Sequence, residues 1–273
     1  MSNKYEGWLV LDLETTVQKL DGKWDNSPKN PNNKMVSAHY ALITEDGVGE
    51  VTNDFYYHDE KKRSDDPRKL MKALKKAKGC IAHNRKFDSF WLRETGFKEY
   101  MPENWYCTMQ AEYLLAKGQR TELSLKAVAE RRDVTRKKSN LVDEMFRSGT
   151  GFESMPIDVV REYAEADVVS CGEIFLKQQK DFDKPENAPL LPVLKLTSEM
   201  TDFLLEIEGN GCQIDMDVLS EVEETYKSEQ AKLMSDLSRI IEQVMGDTPI
   251  NLNSGMDMTK VIYSRQVLDR EKH

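Results

Sequence analysis

The sequence predicts an α/β domain, a mixed sheet flanked by helices, followed by a helical extension. Three observations carry that expectation. Strand-like apolar runs crowd the first part of the chain, and helical periodicity takes over after them. Helices mixed with short strands after three early strands fit a sheet with helical layers. The stretch "DFDKPENAPLLP" (181–192), with three prolines, then separates a segment that reads as helix almost throughout.

The strand-like runs fall at 7–13, 35–44 ("MVSAHYALIT"), 48–57 ("VGEVTNDFYY"), 79–83 and 104–107. Between the first two, residues 18–34 are rich in Asn, Pro and Lys and read as a long surface loop. Helical patterns are expected near 66–78, 87–95, 108–117 and 122–132. A loop at 147–154 then leads to a long helix from Pro156, a residue suited to a first helical turn. Beyond the proline-rich stretch, helices are expected at 193–209 and 216–245, with a short one after "NLNSG".

Composition narrows the class. Hydrophobic residues make up 39% of the chain and charged residues 32%, ordinary values for a globular protein. No run of 18 apolar residues occurs, so no membrane span is expected, and "MSNKYEGW" lacks the pattern of a signal peptide. Cys80, Cys107, Cys171 and Cys212 form no CxxC pair, which points to reduced thiols in the cytoplasm. The net charge is −9, but residues 1–195 hold 32 basic and 32 acidic side chains, so the whole excess lies in the C-terminal piece. Two stretches, Lys61 to Lys78 and Lys117 to Lys138, are locally basic. Each reads either as a solvated helix face or as the flank of a phosphate-holding groove.

The segment "GWLVLDLETT" (7–16) poses an electrostatic problem. Residues i and i+2 of a strand share a face, so Asp12 and Glu14 stand side by side at the end of an apolar run. Like charges so close repel, and burial adds to the cost. A divalent cation reverses that logic, and hard cations such as Mg²⁺ take oxygen ligands. Two further segments bear on it. In "IAHNRKFDSFWL" (81–92) a short strand gives way to Asn84, Phe87 and Asp88; Asn84 also reads as a plain helix cap. In "VVREYAEADVVSC" (159–171) Tyr163 and Asp167 lie four apart on one helical face with Val160, Ala164, Val168 and Cys171. Glu165 points elsewhere. A buried Asp167 needs a partner, either a metal or a basic side chain.

DxE, NxxFD and YxxxD, in that order and roughly 70 to 80 residues apart, resemble the three motifs of the DEDDy 3′–5′ exonucleases. Glu162 stands where the sister group carries its histidine, so the tyrosine branch is the one resembled. The spacing of Asn84 to Asp88, together with "WYCTMQAEYLL" and "LSLKAVAERR", is similar to the exonuclease domain of family A DNA polymerases. "LLEIEGNGCQID" and "NLNSGMDMTKVIY" resemble the entry to the polymerase thumb in that family, phage members included. The resemblance therefore implies a ribonuclease H-like exonuclease domain over residues 1–188 and a thumb-like helical extension over 189–273. Palm and fingers are not within these residues. The tripeptide His58-Asp59-Glu60 matches a polymerase palm motif, but it is isolated and reads as a surface turn.

The roles below are what the resemblance implies. Asp12, Glu14, Asp88 and Asp167 bind two divalent ions, Mg²⁺ or Mn²⁺, and Tyr163 orients the attacking water in a two-metal hydrolysis. Thr15, Asn84 and Phe87 contact the substrate, although core packing is an equal reading of Phe87. The base-wedging position falls on Gln18, leaving Val17 or Leu20 to serve. Arg85 and Lys86 read equally as phosphate contacts or as solvated charges. The expected activity is removal of nucleoside 5′-monophosphates from single-stranded DNA 3′ ends, in the proofreading manner, within or beside a family A polymerase. A ribonuclease D-like RNA exonuclease shares the same carboxylates. A third reading makes the acidic extension a docking module for a separately encoded polymerase subunit, because an excess of negative charge does not suit a grip on DNA.

Overall fold

A computed structural model of the chain describes residues 4–134, 140–246 and 249–263. It divides into two compact units, Met1–Asn210 and Gly211–His273. In the first, strand β1 (Leu9–Thr15) lies at the centre of a six-stranded sheet. β4 (Met35–Thr44) pairs antiparallel on one side, with Leu9 opposite Leu42 and Asp12 opposite His39. β7 (Cys80–Ala82) pairs parallel on the other side, and β8 (Trp105–Cys107) lies parallel beyond it. The expected strand at 48–57 is two pieces, β5 (Gly47–Val48) and β6 (Thr52–Phe55), both antiparallel to β4.

The period of two along β1 sorts its side chains between two cores. Leu9, Leu11 and Leu13 pack with Leu70 and Leu74 of α1 (Arg68–Lys76) and with Trp91 and Leu92 of α2 (Arg85–Leu92). Val10 packs on the opposite face with Val168, Cys171, Ile174 and Phe175 of α6 (Ile157–Phe182). Asp12 and Glu14 share the parity of Val10, so they face α6. Each fully buried Leu, Ile or Phe in these layers contributes about 1.5–3 kcal/mol. Gly172 lets α6 come this close, since a Cβ there would meet Val48 Cγ2 at 2.5 Å and Val10 Cγ2 at 3.1 Å. Pro156 takes the N-cap position, one residue ahead of the first turn.

α3 (Thr108–Leu115), α4 (Leu125–Arg132) and α6 close one side of the sheet. Ser124 caps α4 by accepting from the amide of Ala127. α5 (Asn140–Arg147), which the hydrophobic pattern did not predict, buries Val142 beside Val160 and Met155. The proline-rich stretch leads into α7 (Leu190–Asn210), which packs against α2, α3 and β8, so the compact unit runs to Asn210.

Two sequence expectations change. Residues 18–34 are not an irregular loop throughout, because β2 (Gln18–Leu20) and β3 (Lys23–Asp25) form a hairpin. Its turn uses Asp21 and Gly22, both at positive φ, as a two-residue hairpin turn requires. The "YYHDEKK" turn is not a free surface turn either. His58 is buried against Phe55, and Asp59 accepts from Ser154 Oγ while its amide donates to the Glu153 carbonyl.

The second unit contains α8 (Met216–Met245) and α9 (Gly255–Tyr263). Asp215 caps α8, its side chain accepting from the amides of Asp217 and Val218. No helix among the described residues is long and apolar enough to cross a membrane. All four cysteines are free.

Candidate metal centre

β1 and α6 bring three carboxylates to one point. Asp12, Glu14 and Asp167 each place an oxygen so that all three lie within 4.8 Å of one another. Glu14 and Asp167 are buried and Asp12 is half-buried. A register shift between Glu14 and Thr15 ends the regular pairing with β4 just past this pair, at the close of the strand. On α6, Val160, Ala164, Val168 and Cys171 are buried along the face that carries Asp167, as its spacing predicts. Three clustered carboxylates with low exposure repel one another in any medium. Their all-oxygen donor set suits a hard divalent cation such as Mg²⁺ or Mn²⁺.

Asp88 stands apart from that set but close to it. It sits in the first turn of α2, almost fully buried, and its Oδ1 accepts from the amide of Leu13 at 3.2 Å. Burial first, and the charge of Asp12 second, hold its carboxyl well above the usual carboxylate range, against the pull of two backbone hydrogen bonds. Tyr163 lies one turn before Asp167. Burial, then the charges of Asp167, Glu14 and Asp12, push its hydroxyl far above the usual phenol range. A hydroxyl so placed stays protonated, with its hydrogen available to donate. It does not act as a base at neutral pH.

A polar chain that sequence reasoning missed fixes the helix to the sheet between Tyr163 and Asp167. Glu165 Oε1 accepts from Asn53 Nδ2 at 2.6 Å, which turns the Asn53 carbonyl oxygen toward His39 Nδ1, also at 2.6 Å. That assigns the proton to Nδ1 and leaves Nε2 to accept from Ser37 Oγ at 2.8 Å. His39 and Ser37 are the β4 partners of Asp12 and Glu14. The expectation that Glu165 points away from the carboxylates therefore holds, and its partner explains why. The alternation of polar residues at 37, 39 and 53 was visible in the sequence, but which strands they belong beside was not.

The remaining expected positions lie around this centre. Thr15 is buried at the end of β1. Asn84 is exposed and does stand at the N-cap of α2, but with left-handed backbone angles (φ 61, ψ 49) and no side-chain hydrogen bond to the helix. Asn is one of the few residues that tolerates this region, so the turn leaves its amide facing out. Phe87 is half-buried and packs near Trp91 and the Leu11 core. Arg85 is neither a phosphate contact nor a solvated charge. It is fully buried, donating to Asp202 Oδ1 at 2.8 Å and to Ser198 of α7. Lys86 pairs with Glu208. Much of the basic character noted in the sequence is likewise committed, Lys61 to Asp65, Lys69 to Asp54, and Arg131 and Arg132 to Glu112. Arg136, Lys137 and Lys138 lie outside the described residues.

No protein-family profile matches the chain. Over 198 residues it is 26% identical to the DNA polymerase I of Chloroflexus aurantiacus, a match that takes in 71% of the chain but 20% of the polymerase. The chain thus spans about a fifth of the length of that relative. Among solved structures, Brucella melitensis NrnC superposes with a TM-score of 0.50 at 16% identity, over 78% of this chain and 91% of that one. The POL domain of Pol1 from M. smegmatis, in complex with DNA primer-template and dNTP, gives 0.53 at 16% identity, over 92% of this chain and 37% of that one. At such identities these likenesses establish the fold, a ribonuclease H-like mixed sheet flanked by helices with C-terminal helices added.

Proposed function

We propose that the chain is a metal-dependent 3′–5′ DNA exonuclease of the DEDDy kind, acting in the cytoplasm as the proofreading portion of a phage-like family A polymerase or as a subunit beside one. The observation that carries this reading is the convergence of Asp12, Glu14 and Asp167 within 4.8 Å, with Tyr163 one turn away. The similarity to a DNA polymerase I supports the choice of DNA.

In this reading Asp12, Glu14 and Asp167 would hold a divalent cation, and Asp88 would contribute with Asp12 to holding a second. Bound there, Mg²⁺ or Mn²⁺ would supply Lewis-acid stabilisation of phosphodiester cleavage and make water acidic enough to attack near neutral pH. The protein's own contribution is positional. β1 fixes two carboxylates on one face, and α6 sets Tyr163 and Asp167 one turn apart. The Tyr163 hydroxyl, protonated throughout the working pH range, donates toward the attacking oxygen and aligns it. Thr15, Asn84 and Phe87 hold the 3′-terminal nucleotide.

The test is mononucleotide release from 3′-labelled single-stranded DNA in Mg²⁺. Activity in the parent that falls at least a thousandfold in Asp12→Ala supports the reading, and full activity in that variant overturns it. A parallel assay on RNA separates the ribonuclease D-like alternative, which shares the same carboxylates.

A second reading concerns the C-terminal unit and does not compete with catalysis. Residues 211–273 hold 12 acidic and 7 basic side chains, and α8 exposes Val218, Val222, Tyr226, Leu233, Leu237 and Ile240. An acidic, amphipathic helix of this kind suits docking to a basic polymerase subunit. Co-purification with such a subunit, lost when residues 211–273 are removed, is the expected result.

A further inference from the structure

The segment joining β1 to β4 is held by a set of polar contacts. Asn33, itself buried, accepts from the Gln18 amide at 2.9 Å and donates to the carbonyls of Asp25 and Ser27 at 2.9 and 3.0 Å. Buried Asn30 donates to the Gln18 carbonyl, and the Lys34 amide donates to Thr16 Oγ1 at 2.8 Å. The Trp91 indole reaches out of the core to the Asn26 carbonyl at 3.2 Å. The β2–β3 hairpin therefore stands in a set orientation, yet its largest side chain is in water. Trp24 is 70% exposed, and Lys19 Nζ lies over its ring at 5.1 Å from the centroid.

A large aromatic held rigid and exposed at a loop tip has little to give the fold. Fixed loops on a rigid scaffold are where binding groups concentrate. Trp24 also lines a groove of about 450 Å³ with Thr15, Val17, Phe146, Phe152 and Glu153. Phe152 of its lining lies 5.7 Å, centroid to centroid, from the Tyr163 ring, so the groove adjoins the part of α6 that carries Tyr163 and Asp167. Its size is that of a small-ligand site, and beside Thr15, Gln18, Thr150 and Glu153 its lining holds three aromatic rings, Trp24, Phe146 and Phe152. They suit the flat face of a nucleobase, which stacks on an aromatic ring whatever its identity.

We propose that Trp24 is a stacking platform for a base of the substrate strand close to its 3′ end, with Lys19 holding the ring from its other side. The inference rests on the exonuclease reading and adds a sequence-tolerant grip that the carboxylates do not supply. The hairpin holds the ring at a fixed height above the groove, so the base is caught between Trp24 and the Phe146–Phe152 wall.

The experiment compares the parent, Trp24→Ala and Trp24→Phe on two oligonucleotides, one normal and one with three abasic residues at its 3′ end. Binding is read by fluorescence anisotropy in Ca²⁺, and mononucleotide release by the parent is measured in Mg²⁺. Stacking on one base accounts for about fivefold to hundredfold in affinity. Trp24→Ala should therefore bind the normal strand at least fivefold more weakly, Trp24→Phe should recover most of that, and all three should bind the abasic-ended strand alike. Equal binding of the normal strand by parent and Trp24→Ala overturns the proposal, as does the same loss on both strands. A parent that degrades DNA while indifferent to Trp24 removes only the stacking role. A parent that neither binds nor degrades either strand removes the exonuclease reading and the stack together.

Discussion

The main-chain amide of Leu13 donates to Asp88 Oδ1 at 3.2 Å, joining the central strand to the first turn of α2 across 75 residues of sequence. The contact places a buried carboxyl beside Asp12 from the opposite side of the sheet to α6. Asp88 thereby shares in repulsion with Asp12, and it does so with almost no access to water.

That relationship predicts how stability depends on pH. Burial, then the charge of Asp12, raise the Asp88 carboxyl well above its ordinary value of 3.8. Between the unfolded and folded values the native protein holds a proton that the unfolded chain has lost. Stability therefore falls as pH rises through that window, and the full penalty is present above it. In a chelator, the unfolding midpoint of the parent should drop with rising pH more steeply than that of Asp88→Asn. Adding Mn²⁺ should raise the parent midpoint more at pH 8 than at pH 5. Parallel curves for parent and variant in the chelator would remove the role assigned to Asp88.

Tyr163 carries a prediction on rate. Burial, and then the carboxylates around it, hold the proton on its hydroxyl, so in the proposed mechanism it acts as a donor aligned with the attacking oxygen. Tyr163→Phe keeps the ring that packs near Phe152 and loses only that donor. Removing one preorganised donor lowers turnover by about 10²-fold. The expected result is a fall in kcat of that order, with KM within about twofold and the unfolding midpoint unchanged. The parent should also show no loss of rate from phenol ionisation up to about pH 10, the range in which an ordinary tyrosine titrates. A variant with full kcat would show that the hydroxyl orients nothing.

Much of this was readable from sequence where a simple period governs the outcome. β1 and α6 are legible because alternation by two and spacing by four each fix a face, so Asp12, Glu14 and Asp167 could be placed on surfaces that meet. The hairpin was not legible, because Asn30 and Asn33 look like any loop asparagine until they are seen buried and bonded to distant carbonyls. Arg85 defeated composition in the same way. A charge in a polar motif reads as solvated, and only the packing of α7 over α2 makes it a buried tie to Asp202. His58 was misplaced because its burial depends on Phe55 and on the 153–157 turn, neither near it in pattern. What sequence could not supply in each case was a pairing across long separation.

His39 illustrates that kind of pairing and gives the last prediction. It is the cross-strand partner of Asp12, fully enclosed, and it links Ser37 through Asn53 to Glu165 on α6. Burial lowers its pKa to about 4, opposed by the bond to Asn53 and aided by the charge of Arg161. The neutral ring is therefore the native form. Stability from this group is complete above the unfolded value of 6.5 and is lost as pH falls toward 4, because the unfolded chain takes up the proton first. The loss by pH 4 is about 3 kcal/mol on the linkage relation. His39→Gln, which keeps an amide donor and acceptor in a similar volume, should flatten denaturant-derived stability between pH 6.5 and 4 and should lower stability at pH 7.5 by less than the acid loss in the parent. His39→Ala should break the chain to Glu165 and raise the Mg²⁺ concentration needed for half-maximal activity, since the helix that carries Asp167 is no longer tied to β4 at that level. Parent and His39→Gln curves with the same acid slope would show that His39 is already charged in the folded protein, contrary to its place in the core.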